Sequence, residues 1–352
     1  MTRLIRPTEI VVTAFLVAMV LSTQAGAATI IDLGTSAEGV TTVATGINDS
    51  GQVTGYRRTR YSMQSFLWDH GVITDLGGGY TTAGRINNNA QVTGSSTNPI
   101  DGKRSAFIWQ NGKITYINSG DYVGNQGYGI NDSGHVVLYA YSPYQPCQGF
   151  LYREGIMTEI VSPTNNIIVP CDINNADQVV GYYMSDTDDQ CSFFWQNGVI
   201  TDLNAPRGTG KQSCAGSINN LGHAAGFFGD RSVKHACLWQ YNQIIDLGTL
   251  GGTYGAARAI NDHDQVVGCS STADGVAHAF LYDNGGMIDL NTWLPPASGW
   301  VLTGANDINN SGWIVGQGTL NGQTHAFLLT PEPASLALLA GGFALIIRRS
   351  RR

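Results

Sequence analysis

Residues 47–56 read INDSGQVTGY, and the chain writes that phrase six more times. It returns as INNNAQVTGS from 86, INDSGHVVLY from 130, INNADQVVGY from 173, INNLGHAAGF from 218, INDHDQVVGC from 260 and INNSGWIVGQ from 308. The Ile-Asn pairs stand 39 to 48 residues apart. In each copy one apolar run ends at Ile-Asn, a polar cluster follows, and a second apolar run begins. Asn, Asp and Gly tolerate positive φ and bond their own backbone, so the phrase reads as a tight turn between two antiparallel strands.

Each unit carries two more phrases. The first is SFLWDHG from 65, AFIWQNG from 106, GFLYREG from 149, SFFWQNG from 192, ACLWQYN from 236, AFLYDNG from 279 and AFLLTPE from 326. The second is VITDLG from 72, KITYIN from 113, IMTEIV from 156, VITDLN from 199, QIIDLG from 243 and GMIDLN from 286. Asn-Gly between two such runs, as in AFLYDNGGMIDL (279–290), is a strong hairpin signal. A unit therefore holds four antiparallel strands, here lettered a to d, and four strands in 40–45 residues are the mark of a propeller blade. The seventh unit lacks its fourth phrase, which stands instead at the other end of the chain as TIIDLG (29–34). The expected fold is all-β: a seven-bladed β-propeller of four-stranded blades, its ring closed by the N-terminal strand through Ile30 and Asp32. Closure pairs sheet edges that would otherwise invite aggregation.

The ends read differently from this middle. Arg3 and Arg6, the apolar run Ile10 to Leu21, and Ala25-Gly26-Ala27 make residues 1–27 a secretory signal peptide with a signal peptidase site. Residues 28–330 form the repeat domain. Residues 331–352 begin with Pro331-Glu332-Pro333, continue as an apolar stretch from Ala334 to Ile347, and end in four arginines. Fourteen helical residues would span roughly 21 Å, short of a bilayer core of about 30 Å. The arginines would hold the far end on the cytoplasmic side.

This order of parts resembles the PEP-CTERM sorting signal of Gram-negative bacteria. The resemblance implies transient inner-membrane insertion, recognition of the Pro-Glu-Pro motif by an exosortase-like processing enzyme, and release to the cell surface or extracellular matrix. The mature region resembles the extracellular HAF-repeat proteins, whose His-Ala-Phe stands here at residues 278–280 and 325–327 and becomes His-Ala-Cys at 235–237. That resemblance implies export and repeats, and no established activity, so it carries no catalytic residue over.

Charge narrows the partners. The formal net charge is −7, and loss of the signal peptide and the four tail arginines takes it to −12. An acidic protein is a poor match for nucleic acid. All six cysteines, Cys147, Cys171, Cys191, Cys214, Cys237 and Cys269, lie in the repeat domain without a Cys-x-x-Cys pair. In an exported chain an even count predicts disulfides. The similar spacings of 24 and 23 residues predict Cys147–Cys171 and Cys191–Cys214, leaving Cys237 with Cys269.

The residues that look chemical mostly follow the repeat. His235, His278 and His325 share one repeat position, and Asp32, Asp75, Asp202, Asp246 and Asp289 share another. Equivalent positions on successive units are too dispersed to converge on one metal ion, which predicts turn or packing roles. APRGTGKQSC (205–214) lacks the first glycine and the hydroxyl after the lysine that a phosphate loop needs. Asp186, Asp188 and Asp189 offer carboxylates for calcium without the twelve-residue loop pattern. No catalytic residue, metal or cofactor is expected.

Departures from the repeat are more informative. The a–b and c–d turns stay short, while the b–c and d–a connections vary and share one face, where binding usually resides. Tyr139, Tyr141, Tyr144, Tyr182, Tyr183, Trp293 and Trp300 fall in these segments, and flat amphipathic rings suit stacking on sugars or proteins. The expected function is a non-enzymatic, exported protein of the cell surface or exopolysaccharide matrix, binding polysaccharide or a surface protein through this face. The alternative is a polysaccharide-active lyase or glycosidase, which would need a carboxylate pair or a Tyr/His/Arg cluster that the repeat does not supply.

Overall fold

The computed structural model describes residues 28–331 apart from 35–38, 78, 119, 121, 145, 204–209 and 242. The expected signal peptide and the tail from Glu332 onward, Pro333 included, lie outside the described residues.

Every sequence phrase becomes the strand read from it. In unit 1 the strands are Thr41–Ile47, Val53–Arg58, Met63–Asp69 and Val72–Asp75, paired antiparallel in chain order. Units 2 to 6 repeat this order. Unit 7 supplies three strands, Trp300–Ile308, Ile314–Leu320 and Gln323–Thr330. Its fourth position is taken by Thr29–Asp32, with Ile30 opposite Leu329 and Asp32 opposite Phe327. Asp75 opposite Phe66 and Asp289 opposite Phe280 show the same register within a single unit.

Turn chemistry accounts for the connections. The fifth residue of each a–b phrase takes a left-handed φ, from 56° at Asp177 to 80° at Gly222. Glycine fills that position in four units, and Asp177, Asp264 and Ala90 hold it in the others. In unit 4 the c–d turn runs through Asn197 (φ 52°) and Gly198 (φ 86°), the two positive angles that let a two-residue turn follow the strand twist.

The recurrent Val-x-Gly of strand b has a packing cause. Gly181 faces Pro170 on strand a and Phe193 on strand c. A Cβ there would meet Val169 O at 2.1 Å and the Phe193 ring at 3.0 Å. Phe66, Phe193 and Phe280 lie against Gly55, Gly181 and Gly268 in this way and are almost fully buried. Unit 3 inverts the pair: Leu138 stands where glycine is expected, Gly127 faces it, and Phe150 is only half-buried. Burial of one such ring contributes about 1.5–3 kcal/mol, which is why the glycine and the phenylalanine recur together.

The core is divided among the junctions between consecutive units. Leu67 and Leu76 of unit 1 pack with Ala83, Phe107 and Trp109 of unit 2. At the other end of the chain, Val315 and Leu328 of unit 7 and Leu33 pack with Ala44, Ile47 and Phe66 of unit 1. Among the described residues no helix is long and apolar enough to cross a membrane.

Candidate functional site

The seven a–b turns converge on one cavity of about 150 Å³, lined by the Ile, the Asn and the following Asn or Asp of every unit. Two hydrogen-bond relays hold it. The Nδ2 of each buried asparagine donates to the backbone carbonyl of its counterpart in the next unit, from Asn48 to Asn87, Asn131, Asn174, Asn219, Asn261 and Asn309. Asn309 then donates to Asn48 O at 3.0 Å. One residue on, each backbone N–H donates to the Oδ1 of the next unit's Asn or Asp, from Asp49 to Asn88 and finally from Asn310 back to Asp49. No two of the carboxylates Asp49, Asp132 and Asp262 are neighbours in this relay. Asn88 Nδ2 donates to both Asp49 and Asp132, and Asn310 Nδ2 to both Asp49 and Asp262. The cavity wall is therefore self-satisfied.

A second layer is made by β-bulges in strand a. Register shifts fall at Thr45, Tyr128, Cys171, Gly216, Arg258 and Asn306, and a longer one spans Gly84-Arg85. A bulge re-aims side chains that a regular strand would alternate. Arg85 of unit 2 pairs with Asp307 of unit 7 and donates to Arg258 O of unit 6 at 3.1 Å. Asp307 Oδ2 also accepts from Ile47 N at 3.0 Å. Burial opposes the charge on Arg85, but Asp307 and Asp172 outweigh it and hold the guanidinium above its usual range. Burial pushes the Asp172 carboxyl up, against Arg85, the Ser217 hydroxyl and the N–H groups of Ile173 and Ile218.

Beside this layer stand four tyrosines and three cysteines. The Tyr128 and Tyr139 rings are 6.5 Å apart and edge-to-face, and Tyr139 lies 6.1 Å from Tyr141. Cys171 and Cys214 approach to 3.9 Å between sulfurs, and Cys147 hydrogen-bonds to the Tyr139 hydroxyl. Burial, with Cys171 and Cys214 adding to it, pushes Tyr128 and Tyr182 up to about 12. The bond to Cys147 and then burial push Tyr139 well above the usual phenol range. The bond to Cys214 and then burial push the Cys171 thiol up. At neutral pH these groups keep their protons, so this part of the face is an uncharged, partly exposed aromatic surface with hydroxyl and thiol donors.

The expected binding residues thus separate. Tyr139, Tyr141 and Tyr182 come together, and Tyr128 joins them unforeseen, because its bulge turns it out of the strand alternation. The flanking glycines of Gly127-Tyr128-Gly129 were the available signal. Tyr183 is buried in the core and donates to Asp202 at 2.8 Å. Tyr144 is 93% exposed. Trp293 and Trp300 pack on the core of units 6 and 7, where Trp300 stands edge-on to His325 and Phe327.

The disulfide pattern is corrected. Among the described residues no disulfide is formed, and Cys171 lies beside Cys214 instead of being joined to Cys147. Spacing along the chain ignored the bulge that turns Cys171 towards the next unit. Cys237 occupies the phenylalanine position opposite Gly226, and Cys191 bonds its own segment at Asp189 O.

The repeated His and Asp residues pair with each other. His325 Nδ1 lies 3.0 Å from both oxygens of Asp32, and His278 and His235 meet Asp289 and Asp246 at 2.6 and 2.8 Å. Each of these aspartates also accepts an N–H two residues on, as Asp32 does from Gly34 and Asp246 from Gly248. Among the described residues no group of three or more His, Cys, Asp and Glu side chains stands close enough to hold a metal ion.

No family model and no curated protein sequence matches the chain. Solved structures do. An oligogalacturonate lyase in complex with manganese aligns over 88% of this chain and 97% of its own, with TM-score 0.57 and 11% identity. A streptogramin B lyase aligns over 86% and 98%, with TM-score 0.54 and 11% identity. Prolyl endopeptidases match at TM-score 0.54 and 12% identity, but the alignment covers 71% of this chain and 42% of theirs. At such identities the likeness concerns the fold alone: the chain is all-β and propeller-like.

Proposed function

We propose that the chain is a seven-bladed β-propeller closed by its N-terminal strand, exported as a HAF-repeat protein and sorted through its PEP-CTERM tail. At the cell surface or in the extracellular matrix it binds polysaccharide through its long-loop face, without catalysis. Closure is supported by the pairing of Thr29–Asp32 with Gln323–Thr330 and by relays that return from unit 7 to unit 1. The observation that carries the binding reading is the partly exposed cluster of Tyr128, Tyr139 and Tyr182. Neutral rings beside hydroxyl donors match the alternating apolar and polar faces of a sugar chain. The test is size-exclusion chromatography of the chain with the exopolysaccharide of the producing cells. Migration with the polymer, abolished by Tyr139→Ala with Tyr182→Ala, is expected. Elution as a free monomer would remove the reading.

A polysaccharide-active enzyme remains the second reading, favoured by two lyases of near-equal length among the similar structures. The raised tyrosines are poor bases at neutral pH, and Asp172 is engaged by Ser217 and two backbone N–H groups. Shortening of the polymer with time would decide for it.

A further inference from the structure

The long-loop face has a second character beside the tyrosines. Among that face's loops, the b–c loop of unit 4 holds Asp186, Asp188 and Asp189, whereas the stretch through the b–c loops of units 1 and 2 is basic. Within that basic stretch, Arg58 ends strand b of unit 1, Arg60 stands in its b–c loop, and Lys103 and Arg104 bound the b–c loop of unit 2. Arg58, Arg60 and Lys103 are exposed, and among the described residues no ion pair involves them. Asp101 is the sole acidic residue of these two loops, and its Oδ1 accepts from Lys103 N.

The two loops form one surface. Arg58 pairs with Met63, Met63 Sδ accepts from Thr82 Oγ1, and Thr82 Oγ1 in turn accepts from Arg104 Nη2. Tyr61, 83% exposed, lies under the Arg60 guanidinium, and Tyr80 is 55% exposed. The surface continues into the tyrosines: the Tyr141 hydroxyl and Arg104 O both crowd the Cα of Gly124. Held cations interleaved with exposed rings, on a protein whose net charge repels polyanions, are a local arrangement with no packing role.

We propose that this arc selects a polysaccharide carrying carboxylates on its sugar rings, with Arg58, Arg60 and Lys103 engaging the carboxylates while the tyrosines stack on the rings. The proposal rests on the polysaccharide reading above and names the class of polymer. Unpaired surface cations act through attraction that salt screens within about 8–10 Å, so binding should weaken as salt rises.

The test uses the full chain, kept soluble in a neutral detergent, with polygalacturonate and with its methyl-esterified, uncharged form. The acid form is expected to bind at least tenfold more tightly at low salt. The variant Arg58→Gln/Arg60→Gln/Lys103→Gln should lose that margin and its salt dependence, while binding the ester as the parent does. Equal binding of acid and ester, a triple variant indistinguishable from the parent, or a DNA duplex bound as tightly as polygalacturonate would each overturn the proposal. Failure of the parent to bind either polymer, or binding unaffected by Tyr139→Ala/Tyr182→Ala, would strike the polysaccharide reading itself. Tyrosine-dependent binding that ignores charge would strike only the acidic-polymer proposal.

Discussion

At the a–b turns, seven units place the same side chains in the same roles. At the opposite end the connections differ in length, charge and aromatic content from one unit to the next. The turn end spends its polar groups on itself: Asn131, for example, donates to Asn174 O and Asp177 while its own Oδ1 accepts from Ser133 and His135. The loop end leaves side chains open to solvent, such as Tyr144, Tyr61 and Lys103. One end is therefore expected to govern stability and the other recognition, and substitutions can test how cleanly they divide.

The largest effect should come from Asp307→Ala, which strips the partner from partly buried Arg85 and the acceptor from Ile47 N. A loss of about 3 kcal/mol in denaturant unfolding is expected, because a largely buried charge loses its ion-pair partner and keeps only the more distant Asp172. Arg85→Met with Asp307→Leu should recover much of it. Next, Asn309→Ala removes one of the bonds that join unit 7 to unit 1 and should cost about 2–3 kcal/mol through unmet buried polar groups. If a closed ring is correct, Asn131→Ala at an internal junction should cost a similar amount. A far smaller cost at Asn309 would break the comparison.

A subtler substitution is Asn88→Asp, which keeps the shape but sets one more carboxylate between Asp49 and Asp132, three in a row. It should destabilise the chain by about 1 kcal/mol at low salt and less at high salt. The loop end should respond least at neutral pH. Tyr128→Phe with Tyr182→Phe is expected to change stability there by under about 0.5 kcal/mol. Both phenols titrate at about 12 in the folded chain against the ordinary 10.0, so folding holds their protons. The stability this lends is complete below pH 10 and is lost as the pH climbs through 12. Thermal unfolding of the parent should show that loss, and the double variant should show a smaller one, because Tyr139 and Cys171 are still held protonated.

The repeat made the strands legible because each phrase encodes a local event, a turn or an alternating run, that needs no distant partner. The place of the N-terminal strand beside unit 7 was legible too, since the missing fourth phrase could be matched to TIIDLG by its text, while the pairing of Ile30 with Leu329 came from the structure. The binding face was legible only in part. Trp293 and Trp300 share the aromatic character of Tyr139 and Tyr182 but are consumed by packing in units 6 and 7. The basic arc escaped notice because a net charge sums over the whole chain, while Arg58 and Lys103 act over a single Debye length.

By itself, then, the sequence determined four strands per unit, seven units, and the turns between them, all from contacts within about forty residues. The tertiary structure alone decided which side chains of different units meet: Arg85 with Asp307, Cys171 with Cys214, Tyr128 with Tyr139. The physical reason is the bulge in strand a, whose extra residue turns side chains out of the two-residue alternation that a sequence pattern can express.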